Sequence, residues 1–237
     1  MARFAFPSPV LPGKQASDVP KVFEGRMAEY EESRRRNGVS SECAYEMPTP
    51  MGTFVIAYIE ADRGFEEVMG GLASSDLQID KDFSNAIADV HGMDPAAAPP
   101  GPPPEEIGHF RDPDVRERKK GLAFVAPIMP GAADTARAFA REALGARLAE
   151  HTASRRALGV CQESVFLCSS PDGEVICVYL EADDPQRANE GFAASQGEYD
   201  RWFKDQCRAI FIPDVDFDQP VPPVTTIWEW HRAAVTA

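Results

Sequence analysis

The residues best placed to do chemistry in this chain come in two matched pairs, Tyr58 and Glu60 in "FVIAYIEAD" and Tyr179 and Glu181 in "VICVYLEAD". A spacing of two puts phenol and carboxylate on one side of an extended strand, where they can move a proton or grip a polar ligand. His109 and His231 lie near the ends of two other related segments, "PPPEEIGHFR" and "PPVTTIWEWH". Glu60, Glu181, His109 and His231 are therefore the candidate catalytic residues, as acid–base partners. Tyr58, Tyr179, Tyr45, Trp228 and Trp230 are the candidate ligand-binding residues, because phenols and indoles suit a flat organic molecule. The competing reading makes the Tyr/Glu pairs the closure between two sheets and the tryptophans core packing.

Other chemistries lack their signatures. The sequence holds no Walker loop, dinucleotide-binding glycine fingerprint, nucleophile elbow or His-Glu-x-x-His. Its five cysteines have no Cys-x-x-Cys spacing, so neither a disulfide framework nor a zinc site is expected, and no metal is assigned. Cys168 and Cys177 fall across a hairpin from each other, but the related positions Met47 and Ile56 argue against redox work. His91 and His151 have no partner at a ligand spacing and are expected at the surface.

The elements that must position these residues come from a duplication. Residues 33–62 and 154–183 align without a gap at 12 identical positions of 30, where average usage gives about 2. The identities include Ser33/Ser154, Arg34/Arg155, Gly38/Gly159, Glu42/Glu163, Tyr58/Tyr179 and Glu60/Glu181. Weaker likeness extends upstream, "FAFPSPVLPG" against "LAFVAPIMPG", and downstream to the two histidine-bearing segments. The repeat is far longer than a solenoid unit, so it is a domain doubled in tandem.

Each copy reads as strand, helix, hairpin, helix, strand. Short apolar strands (residues 4–11 and 122–129) stop at Pro-Gly. A helix follows, with Val19, Val22, Phe23, Met27 and Tyr30 on one face in the first copy and Phe139, Ala143, Leu144 and Leu148 in the second. Arginines 34–36 and 155–156 fall at the helix end, where positive charge complements the dipole. Two strands joined by "PTPMGT" or "SSPDGE" come next, then a second helix (residues 80–90 and 199–210). Proline-rich arms, "DPAAAPPGPPP" and "IPDVDFDQPVPP", precede the last strands. The expected domains are 1–111, a charged linker 112–120, and 121–237. The β-α-β-β-α-β order is ferredoxin-like. Each four-stranded sheet would carry helices on one face only, and two such sheets would close into an intramolecular eight-stranded α+β barrel.

This layout resembles the dimeric α+β barrel superfamily, which includes antibiotic-biosynthesis-type monooxygenases and haem-dependent relatives such as chlorite dismutase and dye-decolourising peroxidases. More narrowly, "ESVFLCSSPDGEVICVYLEAD" with "YDRWFKDQC" is similar to a bacterial family of small ferredoxin-like proteins without an assigned activity. The resemblance spans nearly all of both copies, and its motifs are strand patterns. It implies a ligand or substrate inside the barrel. Haem would need an axial histidine. His109 and His231 stand two residues out of step, which counts against haem. No cofactor is predicted, and haem and flavin are left open.

Alternation sorts the faces. Val55, Ala57, Ile59 and Ile176, Val178, Leu180 should pack on helices, leaving Tyr58, Glu60, Tyr179 and Glu181 on the interior face. For the last strands, either His109, Arg111, Glu229 and His231 point inward and meet Glu60 and Glu181 as acid–base pairs or an incomplete metal shell, or Phe110, Trp228 and Trp230 do and line an aromatic pocket; alternation alone does not choose. Cys43, Tyr45 and Glu46 become Ser164, Phe166 and Leu167, so a single site leans toward the more polar first copy.

Composition bounds the partners. The chain is 43% apolar, enough for a core, and its 38 acidic against 24 basic residues give a net charge of −14. Such a surface repels phosphate backbones and anionic membranes, so neither nucleic acid nor membrane is an expected partner. "MARFAFPSPVLPG" carries prolines where a secretory leader needs an apolar helix, and the expected location is cytoplasmic, as a monomer or homodimer. The expected function is binding of a small organic molecule in the barrel. The alternative is a cofactor-independent monooxygenase- or isomerase-like enzyme working through the interior Tyr, Glu and His residues.

Overall fold

Two long hairpins carry the Tyr/Glu pairs, as the alternation predicts. The computed structural model describes residues 1–93, 101–170 and 173–233. Most of the first proline-rich arm (residues 94–100) and the Pro-Asp of the second hairpin turn (171–172) lie outside the described residues. In chain order the strands are β1 (Ala2–Pro9), β2 (Val39–Thr49), β3 (Gly52–Ala61), β4 (Glu105–Arg111), β5 (Lys120–Pro127), β6 (Val160–Ser170), β7 (Gly173–Ala182) and β8 (Thr225–His231). The helices are α1 (Met27–Arg36), α2 (Phe65–Ala73), α3 (Gln78–His91), α4 (Ala133–Arg141), α5 (Leu148–Ala157), α6 (Pro185–Ala194) and α7 (Glu198–Arg208). None of the described helices is long and apolar enough to cross a membrane.

The chain forms two compact units, Met1–Pro103 with Val224–Ala237, and Pro104–Pro223. Each has one antiparallel four-stranded sheet, ordered β1-β3-β2-β8 in the first and β5-β7-β6-β4 in the second. The expectation that each repeat supplies all four strands of its own sheet is corrected here. β4, from the first repeat, pairs with β6 of the second, and β8, from the second repeat, pairs with β2 of the first. Boundaries drawn at 111 and 121 follow the repeat; the compact units exchange the last strands.

Strand faces divide as expected. Phe4, Val39, Ile59, Ala61 and Val68 form a core between the first sheet and α2. Ile128, Ala132, Ala136, Leu167, Ile176 and Cys207 do the same against α4 and α7 in the second unit. Fully burying each such Leu, Ile or Phe is worth about 1.5–3 kcal/mol. The first helix is shorter than its apolar pattern predicts. Single 3-10 turns occupy Ala16–Asp18 and Pro20–Phe23, and Gly25, at φ +69°, breaks the run before α1. Met27 and Leu148, expected on the core face, are exposed.

The repeated Ser-Arg and Glu residues explain themselves in the helix layer. Arg34 is fully buried and reaches Glu42 through both Nε and Nη2, and its Nη1 contacts Ser33 Oγ at 3.0 Å and Asp80 Oδ1 at 3.3 Å. Its guanidinium lies 4.4 Å from the centre of the Tyr30 ring. Arg155 repeats the pattern with Glu163, Ser154 and the Phe203 ring. Arg34 and Arg155 stand in the last turn of their helices, as expected, and in addition tie helix to strand. Arg35 and Arg36 do remain at the surface, paired with Glu32.

The two histidines expected outside are inside. His91 donates its Nδ1–H to the Pro9 carbonyl at 2.8 Å, which sets the proton on that nitrogen. His151 takes the place of Tyr30 in the repeat, buried against Phe110 and 3.0 Å from the Tyr199 hydroxyl. Burial, followed by the charge of Arg155, lowers the His151 pKa to about 4.

Candidate functional site

Register places the chemistry in rows. In the first unit one row reads Arg3–Glu60–Ser41–His231 across β1, β3, β2 and β8, and the next reads Ala5–Tyr58–Cys43–Glu229. In the second unit they read Gly121–Glu181–Gln162–Arg111 and Ala123–Tyr179–Ser164–His109. Directly opposed residues share a face, and so do residues two apart along a strand. All of these therefore stand on the face opposite the helix-packed Ile59 and Leu180. A bulge aligns the rows: the register slips between Val39 and Ser41, and again between Val160 and Gln162, which sets Ser41 beside Glu60 and Gln162 beside Glu181.

This answers the question of the last strands. His109, Arg111, Glu229 and His231 share the face of the Tyr/Glu pairs. Trp228 and Trp230 stand on the other face, among helix residues. Trp228 donates its indole N–H to Tyr30 Oη at 2.9 Å and stacks 5.0 Å from Phe23, and Trp230 meets Tyr30 edge-on at 5.4 Å. Within the first sheet the tryptophans thus stand on the face opposite Tyr58 and Tyr45, with which they were grouped as ligand-binding candidates.

The Tyr/Glu pairs are hydrogen-bonded alike, Tyr58 Oη donating to Glu60 Oε1 at 2.8 Å and Tyr179 Oη to Glu181 Oε1 at 2.9 Å. Tyr45, Tyr58 and Tyr179 are 0% exposed, and Glu60 and Glu181 are 1% and 0% exposed. On the last strands the side chains of His231 and Glu229 are 25% and 35% exposed and those of His109 and Arg111 are 26% and 31% exposed.

The row ends differ in chemistry. In the second unit Glu181 is held by cations: Arg118 Nη1 donates to Oε1 at 2.7 Å, Arg111 Nη1 lies 3.6 Å from Oε2, and the Lys119 amide donates to Oε2 at 3.3 Å. Arg111 also donates to Gln162. His109 Nδ1 lies 2.9 Å from Ser164 Oγ. In the first unit the corresponding end is Ser41, Cys43, Glu229 and His231. His231 Nδ1 is 2.8 Å from Ser41 Oγ and its Nε2 is 3.2 Å from Glu229 Oε1. A carboxylate and a hydroxyl thus fix the ring, leaving an oriented, partly exposed imidazole that can take or give a proton. Beneath it Cys43 is fully buried, and burial, together with the Glu229 charge, pushes its thiol up to about 12.

Ser41 is a functional candidate that sequence spacing missed, whereas Cys43 and Glu229 were each assigned a face by alternation but not brought to one site. They converge from strands far apart in sequence, and the pairing of β2 with β8 brings them together. The five cysteines are all buried free thiols; Cys168 and Cys177 sit with their sulfurs 3.8 Å apart, and burial holds the Cys177 thiol well above its ordinary range.

An open cleft of about 510 Å³ lies elsewhere in the second unit, lined by Asp112, Arg116, Lys119, Arg156, Cys161 and Asp183. Its rim charges pair with one another, Arg156 with Asp112 and Lys119 with Asp183. Neither Tyr179 nor Glu181 opens into it. It is a solvated hollow at the sheet end, and the row ends are the better site because oriented proton-transfer groups converge there.

No family model matches the chain, and no curated protein matches it. Among solved structures it is similar to an anthrone oxidase-like protein, at 14% identity over 98% of this chain and 96% of that one, with a TM-score of 0.52. It is also similar to a protein from Lactobacillus acidophilus assigned as a monooxygenase, at 10% identity over 98% and 97% of the two chains, with a TM-score of 0.52. A further protein so assigned, from Fusobacterium nucleatum subsp. nucleatum, matches at 10% identity over 98% and 95%, with a TM-score of 0.50. At these identities the likeness is one of fold. The chain has a mixed α+β architecture of two four-stranded antiparallel sheets, similar to that of these proteins.

Proposed function

We propose that the chain binds a small organic molecule at the partly exposed end of the polar rows in its first unit, with His231 and Glu229 as the contacting groups. The observation that carries this reading is the contrast in access: Tyr58 and Glu60 are sealed, whereas His231 and Glu229 are open and oriented by Ser41. Closure of the helix-free faces into a barrel belongs to this proposal, with the buried Tyr/Glu pairs serving closure. No resident cofactor is invoked.

The test is a screen of polycyclic phenols and ketones, anthrone among them, by native mass spectrometry and thermal shift. A ligand at 100 times its Kd stabilises by about 2.7 kcal/mol, which raises the Tm by roughly 5–10 °C. E229Q and H231A should each remove that shift. A ligand whose shift survives both substitutions would move the site elsewhere.

A second reading makes the same end catalytic, as a cofactor-independent oxygenase. It is favoured by the proton-transfer geometry of His231 and by the anthrone oxidase-like and monooxygenase-assigned proteins of similar fold. Oxygen uptake with anthrone that disappears in H231A would support it. Binding without oxygen uptake would leave the chain a binding protein.

A further inference from the structure

The first unit also brings together a metal-ligand set. Cys43 on β2 lies directly opposite Glu229 on β8, and His231 is two residues farther along β8 on the same face. One donor atom from each of the three lies within 4.8 Å of the others. His231 Nε2 and Glu229 Oε1 stand 3.2 Å apart, close to the edge of about 3.3 Å in a tetrahedron built on 2.0–2.1 Å bonds. Ser41 Oγ, 2.8 Å from Nδ1, supplies the partner that a metal-bound histidine needs at its other nitrogen. Ser41 also lies 3.9 Å from the Cys43 sulfur.

The repeat shows that the donor set belongs to one unit alone. At the three equivalent positions the second unit carries Ser164, His109 and Arg111, and the Arg111 guanidinium, 3.6 Å from Glu181, brings a fixed positive charge to the row end. His231 occupies that position in the first unit, with two further donors grouped around it. The first-unit row has a fixed charge of its own at the other end, where Arg3 stands opposite Glu60 and the second unit has Gly121.

We propose that Cys43, Glu229 and His231 bind one zinc-type divalent ion, with the fourth coordination position open. Thiolate, imidazole and carboxylate are the donors zinc takes, whereas magnesium and calcium prefer oxygen alone. On binding, the Cys43 S–H bond breaks, sulfur keeps the electron pair and donates it to the ion, and the proton leaves to solvent. The site goes beyond the small-molecule proposal and shares Glu229 and His231 with it: with the ion bound, these two side chains would hold the ion and a ligand would be met at the open fourth position.

The test uses the full chain after dialysis against a chelator, titrated with Co²⁺ as a spectroscopic probe and with Zn²⁺ by calorimetry. The expected result is one ion per chain and a thiolate-to-cobalt charge-transfer band in the near ultraviolet. C43S should erase that band, and E229Q and S41A should weaken binding by about 10–100-fold. H109A and C161S, in the second unit, should leave both readouts unchanged. Glu229 lies near the surface, so E229Q reports on the site even where C43S fails to fold. Absence of saturable binding, a thiolate band that persists in C43S, or wild-type affinity in E229Q would each overturn the proposal. A negative ligand screen leaves this titration readable, and a negative titration leaves the screen readable.

Discussion

The two units are copies whose helix-side cores and helix-free faces have diverged in opposite directions. In the first, Tyr30 is pinned by the Trp228 indole and by Arg34, and the core is aromatic. In the second, His151 replaces Tyr30 and Gly108 replaces Trp228, and Leu144 fills the space so closely that a Cβ on Gly108 would stand 2.9 Å from it. Among the described residues His151 Nε2 has no hydrogen-bond partner. The sheet's other face reverses the balance. There the second unit is closed by Arg111 and Arg118 on Glu181, and the first offers thiol, carboxylate and imidazole. The lesson is that a duplicated fold needs its closure twice but its chemistry only once.

The largest expected effect separates the helix-layer arginines. Arg34→Ala leaves the buried Asp80 and the largely covered Glu42 beside a void and should cost about 3–5 kcal/mol in urea unfolding. Arg155→Ala should cost less, because Glu163 is its one ion-pair partner among those described. Equal losses would mean that Asp80 contributes nothing to the first network.

Next comes pH. The folded pKa of His151, about 4, lies below the unfolded value of about 6.5, so the unfolded chain binds the proton more readily. Its contribution is therefore full above pH 6.5 and is lost as pH falls toward 4, by roughly 3 kcal/mol. His91, also lowered by burial, adds in the same direction. His151→Phe should flatten this part of the stability–pH curve. An unchanged slope would assign it to other groups.

A smaller effect tests closure. Glu181→Gln exchanges a buried carboxylate for an amide among two arginines and a tyrosine, and should cost about 1–3 kcal/mol. It should leave ligand shifts in the first unit intact. Smallest of all, the native protein should react with a thiol reagent at none of its five cysteines within minutes, since all are buried. Rapid modification of Cys43 would mean that its site opens more than the structure implies.

Much of this was legible in the sequence, for reasons that particular residues make plain. The repeat fixed the hairpins, and alternation put Tyr58 and Glu60 opposite Ile59 correctly. The strand exchange was hidden because a strand's pattern declares its faces and says nothing of which sheet edge it joins. The burial of Arg34 and of His151 was not read from their residue types, although the repeat carried the signal. Ser, Arg and Glu recur together at 33, 34 and 42 and again at 154, 155 and 163, and His151 aligns with the core residue Tyr30. The Cys43–Glu229–His231 cluster needed the exchange itself before it existed at all.

The account rests on opposite roles for the two row ends, and thermal unfolding of H231A and R111A, each with and without a ligand of the wild-type chain, tests it most directly. His231→Ala should move the ligand-free stability by no more than about 0.5 kcal/mol and abolish the ligand shift. Arg111→Ala should lower the ligand-free Tm and keep the shift. The reverse pattern, or equal effects of both substitutions on both quantities, would contradict the division of labour between the copies.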